Sequence, residues 1–355
     1  RKEDGHEHKN DVVFSGYERD NYLIDARVPR FGSGEAKGII GESVRGKDIY
    51  IMVDVCNYSL TYSLSGHTNH MSPDDHFQNL KRIIAAIGGK GRRLNVIMPF
   101  LYESRQHKRS SRESLDCALA LQELVHLGVD NIITFDAHDP RVQNAIPLSG
   151  FETVRPTYQF VKGLLRTVKD LQIDSDHMMA ISPDEGATER AVYLANVLNL
   201  DMGMFYKRRD YTRIVNGRNP IVAHEFLGSS VEGKDVIILD DMISSGDSIL
   251  DVARQLKQRN AKRIYAAATF GLFTNGMEKF DRAYEEGIIN GILTTNLIYQ
   301  TPELLSRPYY INCDMSKYIA LMIDTLNHDG SISSILNPSA RIQNVVEKYR
   351  RGEEI

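Results

Sequence analysis

The sequence predicts an α/β protein made of two duplicated halves, each a mostly parallel sheet flanked by helices. Three observations lead there. Short, nearly continuous apolar runs alternate with helix-period stretches along the chain, the pattern of strands buried on both faces. Val44-Arg-Gly-Lys-Asp-Ile-Tyr-Ile-Met-Val-Asp54 matches Val231-Glu-Gly-Lys-Asp-Val-Ile-Ile-Leu-Asp-Asp241 at an offset of 187. Arg93-Leu-Asn-Val-Ile-Met-Pro-Phe100 lies on Arg263-Ile-Tyr-Ala-Ala-Ala-Thr-Phe270 at an offset of 170. The 17-residue difference places extra residues in the first half, and the polar segment Thr61–Ser72 is the natural place for them.

In chain order, the opening RKEDGHEHKN reads as a solvated tail, residues 1–18, that lacks an initiating methionine. Strands are expected at Asp48–Val53, Leu94–Met98, Asn131–Phe135, Met178–Ile181, Val236–Leu239, Ile264–Ala268 and Ile292–Thr295. Helices are expected at Ser114–Leu127, Thr188–Leu198 and Ser248–Arg259, the last with Ile249, Leu250, Val252, Ala253 and Leu256 on one stripe. The domain boundary falls near residues 155–160, giving domains at 19–158 and 159–309, a helical segment at 310–338 and a tail at 339–355. Asn337–Ile355 reads as a polar, frayed helix or tail.

Composition narrows the function. The 355 residues carry 43 basic and 47 acidic side chains, a formal charge of −4, with 42% hydrophobic and 25% charged residues. That balance argues against nucleic acid as a partner. No run reaches the roughly 18 apolar residues of a membrane span. Cys56, Cys117 and Cys313 are widely spaced and form no C-x-x-C pattern, which points to a reducing cytoplasm. Cys117, in an apolar helical run, reads as an inert buried thiol.

The chemistry concentrates in Val236-Ile-Ile-Leu-Asp-Asp-Met-Ile-Ser-Ser-Gly-Asp-Ser248, an apolar strand, two carboxylates, a small-residue loop and an amphipathic helix. Ser244, Ser245, Gly246 and Ser248 offer free N–H groups and hydroxyls at a helix N-terminus, which suits a phosphate. Asp240 and Asp241 are placed to accept from sugar hydroxyls or to hold Mg²⁺ through water. The plainer reading is an N-cap by Ser245 or Asp247; the doubled aspartate favours the binding loop.

This stretch resembles the phosphoribosyl-pyrophosphate loop of type I phosphoribosyltransferases and ribose-phosphate pyrophosphokinases. Six further motifs are similar to the pyrophosphokinase family and follow its order over residues 28–338. They are Arg30-Phe-Gly-Ser-Gly-Glu35, Gly41-Glu-Ser-Val-Arg-Gly46, Pro99-Phe-Leu-Tyr-Glu-Ser-Arg-Gln106, Phe135-Asp-Ala-His-Asp-Pro-Arg-Val-Gln143, Ser182-Pro-Asp-Glu-Gly186 and Lys207-Arg-Arg209. The resemblance implies two type I phosphoribosyltransferase-like domains and transfer of the pyrophosphoryl group of ATP to ribose 5-phosphate, for nucleotide biosynthesis. It implies Mg²⁺ as cofactor, with His138 and Asp184 as ligands. Asp184, Glu185 and Gly186 would form the pyrophosphate loop. Asp240, Asp241 and Ser244, Ser245, Gly246, Asp247 and Ser248 would bind ribose 5-phosphate, and Lys207 and Arg209, on a lid over 207–219, would be catalytic. Arg105, Gln106 and His107 would contact ATP. Phe31, Ser33 and Glu35 would reach across a subunit interface to the adenine, so a dimer-built homo-oligomer, hexameric in the family, is implied.

Other readings stand beside these. Arg105–Arg112 also fits a solvated basic face, and 207–219 an exposed β-flap. The chain departs from the family as a divergent branch: Ser244 holds its acidic position, Asp247 its later glycine position and Ser248 its threonine position. Asp247 would repel a 5-phosphate unless its side chain turns away. His107 stands where the family commonly has Asp, and the Thr61–Ser72 insertion is placed to rebuild a subunit contact or an allosteric site. A non-catalytic nucleotide-binding regulator and a phosphoribosyltransferase are the alternative functions.

Overall fold

The computed structural model describes residues 21–209 and 221–355. The 1–18 tail and lid residues 210–219 fall outside the described residues. The first lobe holds a four-stranded parallel sheet in the order Asp48–Met52, Arg93–Ile97, Asn131–Phe135, Gly150–Val154. The second holds seven strands in the order Ile221–Leu227, Asp201–Arg209, Met178–Ser182, Asp235–Ile243, Arg263–Gly271, Gly291–Thr295, Tyr310–Cys313. Only the outer pair, Ile221–Leu227 with Asp201–Arg209, is antiparallel.

Strand alternation sorts the second sheet's apolar residues onto two cores. Met179, Ile181, Val236, Ile238, Ile264, Ala266 and Ile292 meet helices Asp247–Gln258 and Glu278–Glu285. Met178, Ala180, Ile237, Leu239, Tyr265, Ala267 and Leu293 meet helices Thr157–Thr167, Thr188–Leu198 and Ser339–Arg350. Both faces are covered, as uninterrupted apolar strands require.

Three expectations need correction. The strand expected to stop at Leu239 runs to Ile243, because its neighbour also runs on and the ladder continues to Ile243↔Gly271. Asp240 and Asp241 therefore lie inside a strand, with their carboxyl groups close enough to interact directly. The tail expected after residue 338 is a packed helix, Ser339–Arg350: Ile342, Val345 and Val346 are buried, and the Tyr349 hydroxyl donates to the Val168 carbonyl at 2.9 Å. Its spacing of 342, 345, 346 and 349 is a helical stripe that the polar flanks obscured. The 310–338 segment opens with a strand, Tyr310–Cys313, that joins the second sheet.

The two halves exchange helices. Thr157–Thr167, which follows the first lobe's last strand, packs on the second sheet. Ser316–Asn327, which follows the second lobe's last strand, packs on the first through Tyr318 and Met322 against Ile97, Ile133, Phe135 and Val154. Each exchange is fastened by the same ion triad. Asp48 is held by Arg93 at 2.6 Å, and Arg93 reaches Asp329, just beyond the exchanged helix, at 2.5 Å. In the other half Asp235 is held by Arg263 at 2.7 Å, and Arg263 reaches Asp170 at 2.7 Å. The duplication thus extends to side-chain pairing. The Asp48 and Asp235 side chains are only 2% and 3% exposed.

The insertion forms a hairpin, Thr61–Leu64 with His67–His70, turned by Ser65 and Gly66, both at positive φ as a tight two-residue turn needs. It braces the loop at residues 30–36: the Arg30 guanidinium lies 3.8 Å over the Tyr62 ring and donates to Asp75 at 2.8 Å. No helix among the described residues is long and apolar enough to cross a membrane.

Arg263→Met leaves the buried Asp235 carboxylate without its guanidinium and is expected to cost about 3 kcal/mol. Asp170→Ala, at the exposed end of the same triad, should cost far less, because solvent screens that contact. Urea unfolding midpoints of the two variants check the contrast, and equal losses would refute it.

Candidate functional site

Strands Met178–Ser182 and Asp235–Ile243 are direct parallel neighbours, so the turns that leave them lie at the same end of the sheet, the first starting level with Asp240 and the second beyond Ile243. In the first turn the Asp184 carboxylate accepts from the Gly186 N–H at 2.9 Å and the Ala187 N–H at 3.3 Å, while Ser182 Oγ donates to the Asp184 carbonyl at 2.6 Å. In the second, Gly246 takes φ 82° and opens helix Asp247–Gln258, whose N-terminus has no side-chain cap. A Cβ at Gly246 would stand 2.1 Å from Phe280 Cζ, so both its backbone angle and its floor demand glycine. The plainer alternative, a side-chain cap by Ser245 or Asp247, is not formed at Gly246, though Ser245 Oγ accepts from the Asp247 N–H at a long 3.5 Å. Instead Ser245 Oγ donates to Asp247, and Lys279 Nζ approaches the same carboxylate at 2.5 Å. The Asp247 carboxylate is thus held between Ser245 and Lys279.

Behind the turns lies a buried charge cluster built by both lobes. Arg190, on helix Thr188–Leu198, donates to Asp136 at 2.8 Å, to the Ala137 carbonyl at 3.3 Å and to the Gly186 carbonyl at 3.5 Å. It also stands 4.0 Å from Asp241. Asp136 sits at φ 43° just past strand Asn131–Phe135 and accepts from Thr269 Oγ1 at 2.7 Å. His138 Nδ1 meets Asp241 Oδ2 at 2.6 Å.

Their protonation divides accordingly. Burial drives the Asp240 carboxyl well above the usual range, and the charges of Asp241 and Asp184 push it further. Burial also acts on Asp241, but the His138 hydrogen bond and the Arg190 charge outweigh it, so that carboxyl lies below its usual range. Burial raises Asp136 against the opposing pull of Arg190.

The first lobe adds further groups. Arg105 donates to the Met242 sulfur through Nε at 3.1 Å and Nη2 at 2.7 Å, which sets its guanidinium beside the second lobe's binding strand. It lines an interlobe cleft of about 680 Å³ together with Tyr58, Phe100, Tyr102, Ser244 and Tyr299. Gln106 is turned into its own loop, donating to the carbonyls of Ser114 and Lys108. His107 packs on His138 with ring centroids 5.3 Å apart, and its Nε2 stands 3.5 Å from Asp139. Phe31, Ser33 and Glu35 share one turn, with Ser33 donating to Glu35 at 2.9 Å, but none of them lines the cleft. The Phe31 ring is 51% exposed. Lys207 and Arg209 lie at the end of strand Asp201–Arg209, and their side chains are outside the described residues.

Among the described residues no group of three or more His, Cys, Asp or Glu side chains forms a metal cage. The donors nevertheless suit Mg²⁺ brought in by polyphosphate, which needs only one or two protein ligands. Asp241 fixes the His138 ring through Nδ1 and leaves Nε2 for a ligand, the usual carboxylate–histidine support. Sequence reasoning missed Arg190 as a site residue. Its signal was position: it falls three residues after Ala187 and four before Leu194, on the buried stripe of its helix, where an unpaired arginine does not survive.

Comparisons with known proteins agree with this geometry. A model of the N-terminal domain of ribose phosphate pyrophosphokinase matches residues 18–128, and a model of the phosphoribosyl synthetase-associated domain matches residues 214–337. The ribose-phosphate pyrophosphokinase of Vibrio parahaemolyticus is 28% identical over 89% of this chain and 92% of its own. That of Pasteurella multocida is 29% identical over 88% of this chain and 91% of its own. The crystal structure of phosphoribosylpyrophosphate synthetase from Mycobacterium smegmatis matches with a TM-score of 0.72, covering 88% of this chain and 93% of that chain at 22% identity, a likeness of fold.

The crowding around Asp240 is a cost to the free protein. Asp240→Asn is expected to raise stability by about 1 kcal/mol at pH 7.5. Because the folded carboxyl titrates above its unfolded value, the cost is absent below pH ~4 and grows as pH rises through the folded value. Thermal unfolding at pH 4 and pH 7.5 checks it; a destabilised variant at the higher pH would contradict the electrostatics.

Proposed function

The chain belongs to the ribose phosphate pyrophosphokinase family, and from that premise we propose that it carries the pyrophosphoryl group of ATP to the anomeric hydroxyl of ribose 5-phosphate. The anomeric oxygen bonds to the β-phosphorus as the bond from that phosphorus to the α,β-bridging oxygen breaks. The hydroxyl proton is lost, and the products are phosphoribosyl pyrophosphate and AMP. The observation that carries the reading is the pair of turns, at Asp184 and at Ser244–Ser248, that leave neighbouring strands at one end of the sheet around Asp240 and Asp241.

Each group has a task its surroundings favour. The helix N-terminus, the hydroxyls of Ser244 and Ser248 and the backbone N–H of Ser245 take the 5-phosphate. Asp240 accepts from the ribose hydroxyls, since Asp241 is already engaged by His138. The turn of Asp184, Glu185 and Gly186 receives the transferred pyrophosphoryl group, which takes over the Gly186 N–H that the Asp184 carboxylate accepts from in the free protein. Arg105, facing the cleft, orients the nucleotide phosphates, while Gln106 and His107 shape the loop that carries it. Lys207 and Arg209 bring positive charge to the transferring group. His138 and Asp184, together with the phosphates, would hold Mg²⁺, which would supply neutralisation of the polyphosphate charge.

Phe31, Ser33 and Glu35 read the adenine of a neighbouring subunit, so the working unit is a homo-oligomer built from dimers. The free cysteines fit a reducing cytoplasm. Ser244, in place of an acidic residue, favours a second reading, a nucleotide-binding regulator without turnover.

With ATP, ribose 5-phosphate and Mg²⁺ the purified protein should release AMP, and omission of ribose 5-phosphate or addition of a chelator should stop it. Asp240→Asn should raise the KM for ribose 5-phosphate by at least about tenfold and that for ATP by under about threefold. Lys207→Ala should lower kcat by about a hundredfold. ATP binding without AMP release would sink the catalytic reading and favour the regulator.

A further inference from the structure

The phosphate loop of this chain carries an anion where a phosphate must sit. Asp247 is the first residue of helix Asp247–Gln258, at the mouth of the uncapped N-terminus, and its side chain is 66% exposed. Left free, that carboxylate could swing over the cradle and compete for the same N–H groups. Two contacts prevent this. Ser245 Oγ donates to Asp247 Oδ2 at 2.9 Å, and Lys279 Nζ meets Oδ1 at 2.5 Å.

The lysine is placed with some care. Segment 274–280 forms the wall of the loop: the Thr274 N–H donates to the Ser244 carbonyl at 3.0 Å, and Phe280, fully buried, lies directly beneath Gly246. Lys279 adjoins that plug at the start of helix Glu278–Glu285, so the residue that fixes the loop's floor also fixes where the ammonium group stands.

We propose that Lys279 is a positioning residue for ribose 5-phosphate, holding the Asp247 carboxylate outward so that the Ser244–Ser248 cradle stays open to the 5-phosphate. The inference rests on the reading of that loop as the 5-phosphate site. It predicts that the lysine matters only while residue 247 is charged. It also predicts that the effect weakens with added salt, since both groups are solvent-exposed.

Equilibrium binding of ribose 5-phosphate, measured calorimetrically on the full chain, tests this separately from turnover. Lys279→Met should weaken binding about three- to fivefold in 50 mM KCl and less in 500 mM KCl. The double variant Lys279→Met/Asp247→Asn should recover the parent's affinity, and the single Asp247→Asn variant closes the cycle. ATP affinity should be the same in all four proteins, which excludes general unfolding. Unchanged ribose 5-phosphate affinity in Lys279→Met, or a double variant as weak as Lys279→Met, overturns the proposal. A parent that fails to bind ribose 5-phosphate overturns it together with the reading of the loop. A parent that binds but releases no AMP, with the predicted rescue intact, defeats only the catalytic reading.

Discussion

Two buried carboxylates, Asp136 and Asp241, and the half-buried Asp240 stand where the lobes meet, and one guanidinium, Arg190, lies among them. That shortage of positive charge is the constraint from which the site follows. Arg190 satisfies Asp136 directly and attracts Asp241, which is also secured by His138. Asp240 is left as the carboxylate that burial and its neighbours most strongly oppose. The fold thus keeps an acceptor in reserve, under strain, at the place where a polyhydroxylated ligand or a cation would relieve it. The same arginine joins the first lobe's 136–137 segment to the Gly186 carbonyl, so electrostatics and lobe geometry are set by one side chain.

Around that centre the two turns are backbone features with little freedom. The two turns are adjacent because their strands are, and strand adjacency is fixed by apolar residues on both faces of the sheet. Gly246 cannot carry a side chain because Phe280 occupies the space below it. The site therefore depends on core packing two layers away, and its precision comes from the rigidity of a close-packed interior.

Much of this was legible in the sequence. The strands came from continuous apolar runs, the duplication from the repeated Gly-Lys-Asp segment, and the glycine-bearing turn after the long strand from small residues following two aspartates. The rest was hidden for physical reasons. Periodicity does not say where a strand ends when the polar residues that should stop it have buried partners, as Asp241 does in His138 and Arg190. It says that Thr157–Thr167 and Ser316–Asn327 are amphipathic, but not whose sheet each one covers. Ion pairing across 236 residues, as between Arg93 and Asp329, leaves no local trace. Gln106 offered a nucleotide contact by its position, yet its amide is used to hold its own loop.

The exchange of helices also bears on the order in which the molecule can be made. During translation the first four strands emerge early, but Ile97, Ile133, Phe135 and Val154 have no cover until Ser316–Asn327 has left the ribosome. The N-terminal half must wait, with one face of its sheet open, for nearly the whole polypeptide to be synthesised. The C-terminal half, by contrast, already has Thr157–Thr167 at hand when its own strands appear. The half synthesised second is thus equipped to fold first, and a nascent chain stalled between the halves would be a client for chaperones.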